Sequence, residues 1–254
     1  MWVYLLLRWG VAAAPALIAM ALTLPMEILW PRSPVPLEAR LRGIAYYLLI
    51  VVPIAVGFGT IESLLSWNMK PIVPASAWTH HPILTVAGTL IVYDLGFYVM
   101  HRLEHRFFWR VHSVHHSIEN LGTANSYNHP LQAVFDWLMI FLPLNLLGLG
   151  PGLVLSTLAT IQGFYLHTAT RLNLGPLRWL VNDNRHHRIH HSREREHWDK
   201  NYALFFPFWD LVFGTAHMHE PDAWPATGVH DVPEARSILQ FIAQPALPRS
   251  RALH

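Results

Sequence analysis

The chain has 254 residues, 52% of them hydrophobic and only 13% charged, whereas soluble domains carry about a quarter charged residues. A formal net charge of +2 gives no case for nucleic acid as a partner, and the lack of cysteine excludes disulfides, thiolate metal sites and cysteine nucleophiles. These bounds favour one all-α integral membrane domain of about four to five transmembrane helices. Histidine is the outlier, since its 18 copies outnumber the 16 acidic residues.

In chain order, "MWVYLLLRWGVAAAPALIAMALTLP" comes first. Its apolar stretch from Gly10 to Leu24 has no small-x-small site before a polar start, so it reads as a retained span near 5–25 rather than a cleaved signal peptide. A span needs about 20 mostly apolar residues. Further candidates lie near 43–66, 82–100, 131–148 and 151–167. The tight breaker "GLGPG" splits the last two, and each is barely long enough, so a hairpin that does not fully cross is the alternative.

Arginine and lysine set the orientation. The 26–42 loop carries Arg32, Arg40 and Arg42, the 67–81 loop only Lys70, and the segment after residue 100 carries Arg102, Arg106 and Arg110. An outside N-terminus satisfies each count. It puts the histidine-rich parts 101–130 and 168–216 in the cytoplasm as a helical cap, followed by an irregular tail over 217–254. Trp30, Trp67 and Trp78 fall at proposed boundaries, as interfacial anchors do. Sixteen arginines against only Lys70 and Lys200 suggest a GC-rich bacterial source, and with no retention or lipidation signal the expected location is a bacterial inner membrane.

The third candidate span runs into "HRLEHRFFWRVHSVHHS", which holds His101-x3-His105 and His112-x2-His115-His116; further on, "HHRIHH" supplies His187-x2-His190-His191. Residues three and four apart share a helix face. A helix continuing out of the membrane would therefore align Asp94, His101, His105, His112 and His116 in one stripe. Imidazoles so spaced suit Zn, Fe, Cu or Ni. One histidine pair four apart is ordinarily surface decoration, but two His-x2-His-His clusters behind a His-x3-His are not. A transport path needs ionisable groups near mid-membrane, and these lie at or beyond helix ends. Haem takes one or two axial histidines, and a single four-coordinate zinc leaves a surplus. Two adjacent metals use the set. Asp94, seven residues before His101, is placed either to accept that imidazole's second N–H or to bond Tyr93, Tyr98 or a backbone group.

"YDLGFYVMHRLEH", "WRVHSVHHS", "HHRIHHS" and "NYALFFPFWDLVFGT" together resemble the fatty acid hydroxylase/sterol desaturase superfamily of membrane-bound di-iron oxygenases, over residues 85–216. The resemblance implies three histidine boxes: His101 and His105; His112, His115 and His116; His187, His190 and His191. A further family histidine matches His167, although the Asn that typically stands two residues on is here Ala169. Eight box histidines give two metals four each, and His167, returned to the same membrane face, would complete a five-coordinate iron. His129 and His186 compete for that role. His129 precedes Pro130 in a turn, with a structural or substrate-lining part, and His186 lies about 100° around a helix from His187. Asp199 and Asn201 in "DKNYA" are expected to orient third-box histidines or cap a turn. His80, His81, His217, His219 and His230 have no supporting spacing and are expected to be solvated.

The implied activity is that of a membrane-bound non-haem di-iron oxygenase, using O2 and two electrons to hydroxylate or desaturate an unactivated C–H bond of a membrane lipid, fatty acyl or sterol-like. The implied cofactors are two Fe ions, which Zn can replace in purified protein, with O2 as co-substrate. The sequence has no haem-binding domain, flavin fingerprint or cysteine for an iron–sulfur cluster, so a separate electron donor of reductase, ferredoxin or cytochrome type is expected. Arg102, Arg106 and Arg110 read first as topology determinants and second as its docking face. Alternatives are a carotenoid hydroxylase and a metal-binding membrane protein without oxygenase activity.

Overall fold

A computed structural model of the chain describes residues 2–57, 60, 70–78, 80–149, 152–218, 220 and 222–246. Among them every regular element is helical, and β pairing is limited to isolated bridges such as Pro31 with Thr170. Helix α1 is Trp2–Leu29, α2 is Leu37–Gly57 and α3 is Pro82–Phe107; these three are long and apolar enough to cross a membrane. Leu17, Ile18 and Leu22 of α1, Leu49 of α2 and Ile83, Leu84 and Ile91 of α3 are exposed. Such an apolar exterior suits acyl chains rather than water, and the chain is an integral membrane protein. Pro15 and Pro25 lie inside α1, as membrane helices tolerate.

The stretches expected near 131–148 and 151–167 are helical, as α5 (Gln132–Leu146) and α6 (Gly152–His167). The 16 residues of α6 rise about 24 Å, short of a hydrocarbon core of about 30 Å. Three helices among the described residues thus reach crossing length, against the four to five expected, and α5 and α6 fall short of it. Residues 58, 59 and 61–66 of the expected span 43–66, together with Trp67, His219 and the centre of "GLGPG", lie outside the described residues.

One boundary differs from expectation beside two ion pairs. Helix α2 starts at Leu37, so Arg40 and Arg42 sit on a helix rather than in a loop. Both are paired: Arg40 Nε donates to Glu27 at 3.0 Å and Arg42 to Glu234 at 2.5 Å. Glu27, at the end of α1, is fully buried and also accepts the backbone N–H groups of Thr123 (2.8 Å) and Ala169 (3.1 Å). One carboxylate thereby ties α1 and α2 to the loop around Thr123 and to the exit of α6. Gly43 of α2 lies so close to that loop that a Cβ would collide with the Ala124 carbonyl.

Helix α3 does continue beyond residue 100, but only to Phe107. Phe108 leaves helical geometry (φ −122°, ψ 24°), and α4 (Trp109–His116) starts in a new direction. The expected single stripe is therefore split over two helices, and Asp94 is not part of it. Its carboxylate accepts the backbone N–H groups of Leu204 (2.9 Å), Phe205 (2.8 Å) and Phe206 (2.8 Å), pinning that segment against α3. This is the backbone alternative for Asp94, and His101 is served by another group.

Asp94→Ala would leave the N–H of buried Leu204 and those of half-buried Phe205 and Phe206 without their acceptor, a buried one costing about 1–3 kcal/mol. The expected outcome is a loss of about 2–4 kcal/mol, read as a lowered unfolding midpoint of the purified protein, with Asp94→Asn milder because it keeps an acceptor oxygen. An unchanged midpoint for Asp94→Ala would mean that residues 204–206 are held by other contacts.

Candidate metal centre

Nine histidines converge where the ends of α3 and α6 meet α4 and α7 (Asn184–His190). They form two groups. In the first, one ring nitrogen from each of His101, His105, His112, His116 and His190 lies within 4.8 Å of the others; in the second, the same holds for His115, His167, His187 and His191.

Helix geometry explains the division. At 100° per residue, positions four apart sit about 40° from each other, whereas the member three along falls about 60° to the other side. His112 and His116 therefore stay together while His115 turns to the second group. His187 and His191 stay together while His190 turns to the first. Each His-x2-His-His box contributes to both groups, and the two are in contact through the stacked rings of His116 and His191, 4.4 Å between centroids. His167 joins the smaller group rather than completing the larger one, because both histidines of α3 already face the other way.

Within each group the Nε2 atoms point inward. Nε2 separations are 3.0 Å for His101–His112, 3.1 Å for His112–His116 and 3.2 Å for His105–His116. In the second group they are 3.2 Å for His115–His167, 3.0 Å for His167–His187 and 3.1 Å for His187–His191. In four of the nine the opposite ring nitrogen faces a backbone carbonyl. Nδ1–H of His101 donates to the Tyr202 carbonyl (2.8 Å), that of His115 to Tyr127 (3.2 Å), that of His167 to Gly163 (2.5 Å) and that of His190 to Lys200 (2.7 Å). A proton on Nδ1 leaves Nε2 as a lone pair. Several inward lone pairs crowded at 3.0–3.2 Å repel one another unless a cation lies among them, so the donor set fits a metal.

Burial adds to this. Eight of the nine are buried and His105 is half-buried. Burial holds His115, His116, His187, His190 and His191 well below the ordinary histidine range, and the neighbouring imidazoles push them further down. They are therefore neutral at physiological pH, the form a metal needs.

The supporting residues are local devices. Asp183 caps α7 by accepting from the N–H groups of Arg185 and His186. Asn184 donates to the Thr168 and Thr170 carbonyls (3.2 and 2.8 Å), which draws α7 to the end of α6 and brings His187 to His167. Asp199 and Asn201 adopt positive φ (55° and 59°), the left-handed region that Asp and Asn enter more readily than other non-glycine residues. The bend turns the carbonyls of Lys200 and Tyr202 toward His190 and His101.

The remaining sequence candidates fall into place differently. Asp199 meets His105 of the first box at 3.3 Å. Asn201 caps its turn, donating to the His186 and His217 carbonyls and accepting from the His217 N–H. His129 lies outside both groups, its Nε2 3.2 Å from the Ile242 carbonyl. His186 is also outside, with Nε2 3.6 Å from Asp210. His80, His81 and His230 are exposed as expected, while His217 is half-buried against His197. Sequence reasoning missed Glu104, which is 1% exposed and has Oε2 3.2 Å from Nδ1 of His112. The available signal was its place as the sole acid in "HRLEHRFFWRVHSVHHS".

A cavity of about 750 Å³ reaches the five-histidine group through His105, His116 and His190. Val99, Leu103 and Phe107 of α3 give it an apolar wall, Arg102 and Arg106 a basic one, and no member of the four-histidine group lines it.

Alkylglycerol monooxygenase of Homo sapiens is 34% identical over 126 residues, covering 48% of this chain and 28% of that protein. Ornithine lipid hydroxylase OlsE of Rhizobium tropici is 32% identical over 168 residues, covering 64% of the chain and 49% of that protein. Methylsterol monooxygenase 1 of Rattus norvegicus is 30% identical over 135 residues, with 50% and 45% covered. The chain thus spans less than half the length of each of these relatives. No solved structure matches it significantly. The model of the fatty acid hydroxylase family matches residues 86–215, just over half the chain, from within α3 through all nine converging histidines. The chain belongs to the fatty acid hydroxylase family.

Proposed function

We propose that this protein is an O2-dependent oxidoreductase that hydroxylates an unactivated C–H bond of a membrane lipid, with two iron ions held by the nine histidines. The observation that carries it is the pair of adjacent all-imidazole groups with Nε2 atoms inward. His101, His105, His112, His116 and His190 would hold one ion, and His115, His167, His187 and His191 the other. Bound there, the two ions supply the reduction of O2 with two electrons and two protons, giving R–OH and water from R–H and O2. Zinc can occupy such sites in purified protein.

The chain's own residues bind, orient and exclude water. The carbonyls of Tyr127, Gly163, Lys200 and Tyr202 hold four imidazoles in the tautomer with Nε2 free. Trp109 packs against His105 and His116 (ring centroids 5.1 and 5.2 Å), shielding the five-histidine group on the cavity side. The cavity bordered by Val99, Leu103 and Phe107 suits a hydrocarbon chain laid alongside α3. The printed activities of the relatives, on alkylglycerols, an ornithine lipid and a methylsterol, support a lipid substrate. Electrons come from a separate carrier protein. The arginine distribution supports a cytoplasmic centre in a bacterial inner membrane.

Fully loaded, active protein is expected to carry two irons per chain, and a stoichiometry of one would overturn the dinuclear reading. His167→Ala leaves three imidazoles in the smaller group. It is expected to lose turnover and to bring metal content toward one per chain by elemental analysis, while His129→Ala and His186→Ala keep two. Full metal content and activity in His167→Ala would remove His167 from the ligand set.

Orientation has its own test. Reporter fusions placed after Lys70 and after Arg178 are expected to report opposite sides of the membrane, the second cytoplasmic. The same side for both would refute the proposed topology.

A further inference from the structure

Glu104 stands on α3 between His101 and His105, and its carboxyl group is enclosed. Oε2 lies 3.2 Å from Nδ1 of His112, bent out of hydrogen-bond geometry, and neither oxygen accepts a hydrogen bond from any described group. A buried carboxyl group left this way is costly unless something charged or strongly donating compensates it. Its polar neighbour supplies the means. Nε2 of His112 faces those of His101 and His116 at 3.0 and 3.1 Å, so the proton of His112 belongs on Nδ1, the atom turned to Glu104.

The charge balance points the same way. Nine neutral imidazoles bring no negative charge, and two divalent ions would put four positive charges among buried groups. Among the described residues the carboxylates of Asp199 and Glu104 lie within 3.3 Å of imidazoles of the centre, both in the five-histidine group. Asp199, beside His105, has a side chain 76% exposed, so water screens it, whereas Glu104 is enclosed. In the four-histidine group His115 and His167 are backed by the neutral carbonyls of Tyr127 and Gly163.

We propose that Glu104 is the positioning and charge-compensating residue of the five-histidine group: in the metal-loaded protein its carboxylate accepts a hydrogen bond from Nδ1–H of His112, holds that Nε2 inward, and strengthens metal binding in this group and not in its neighbour. This rests on the two-ion reading above. Loading the group polarises the His112 N–H, so the bent contact of Glu104 is expected to straighten into a hydrogen bond.

The test is a Zn2+ titration of the metal-stripped full chain in detergent, in competition with a chromophoric chelator, alongside the absorption spectrum of the Co2+-loaded protein. Wild type is expected to bind two equivalents. Fewer than two would defeat the two-ion reading rather than the role of Glu104. Glu104→Gln is expected to weaken one equivalent by about 10–100-fold, the usual effect of losing a partner behind a metal-bound histidine. The other equivalent stays unchanged, and half of the Co2+ spectrum shifts. In a His112→Ala background the same substitution is expected to add nothing. Folded Glu104→Gln with wild-type affinities and spectrum, or with both equivalents weakened alike, overturns the proposal. Should Glu104→Gln not fold, Glu104→Asp decides: one methylene shorter, it is expected to fall below wild type at one equivalent, and wild-type affinity there overturns the proposal.

Discussion

An imidazole that turns one nitrogen inward must give its other N–H an acceptor, and much of this structure answers that demand. Backbone carbonyls are the cheapest acceptors to bury, because they need no side chain and carry no charge. They come from segments that have no other obvious reason for their shape. Residues 199–202 bend through two left-handed conformations to offer two carbonyls, and residues 126–128 offer another beside α4. His167 meets the demand within its own helix, reaching back one turn to Gly163. The elements around the centre are less a shell that encloses it than a set of outward anchors.

The anchors need anchoring in turn, and carboxylates do that. Asp94 fixes residues 204–206 to α3, and Asp210 accepts the N–H groups of Tyr202 and Ala203, so the carbonyl of Tyr202 is held from both directions. Glu27 does the same for the exit of α6, next to His167. Each acid accepts several backbone donors at once, which makes an enclosed charge tolerable and joins segments far apart in sequence. Apolar α1, α2 and α3 provide a firm footing, and the polar work is done at their ends.

The helical class, the apolar stretches and the eight box histidines were legible because they follow local periodicity and spacing, whereas His167, in no box, was reached through the family resemblance and the topology. The break at Phe108 was not, since nothing in "HRFFW" breaks a helix by propensity; it follows from folding α4 back so that His112 meets His101. Asp94 illustrates the same limit. Its spacing from His101 was correct for a shared helix face, yet three N–H groups from residues more than 100 positions away claimed it. The early start of α2 depended on Glu27 and Glu234 as partners for its arginines, and such pairing across the chain leaves no trace in composition. Asn184 was illegible for a related reason, because its value lies in what it faces, and Glu104 offered only its place as the one acid among the histidines.

The division of each His-x2-His-His box between two groups has a consequence for the chain as a heritable text. The choice of group is written in helical phase, not in the identity of the residue, since all nine letters are the same. A single-residue insertion within α4 or α7 would rotate the residues beyond it by about 100° and send histidines to the wrong partners without altering one of them. Two of the three boxes are therefore each a clasp closed on both sides. A lost side chain subtracts from one group, but a slipped frame unfastens both.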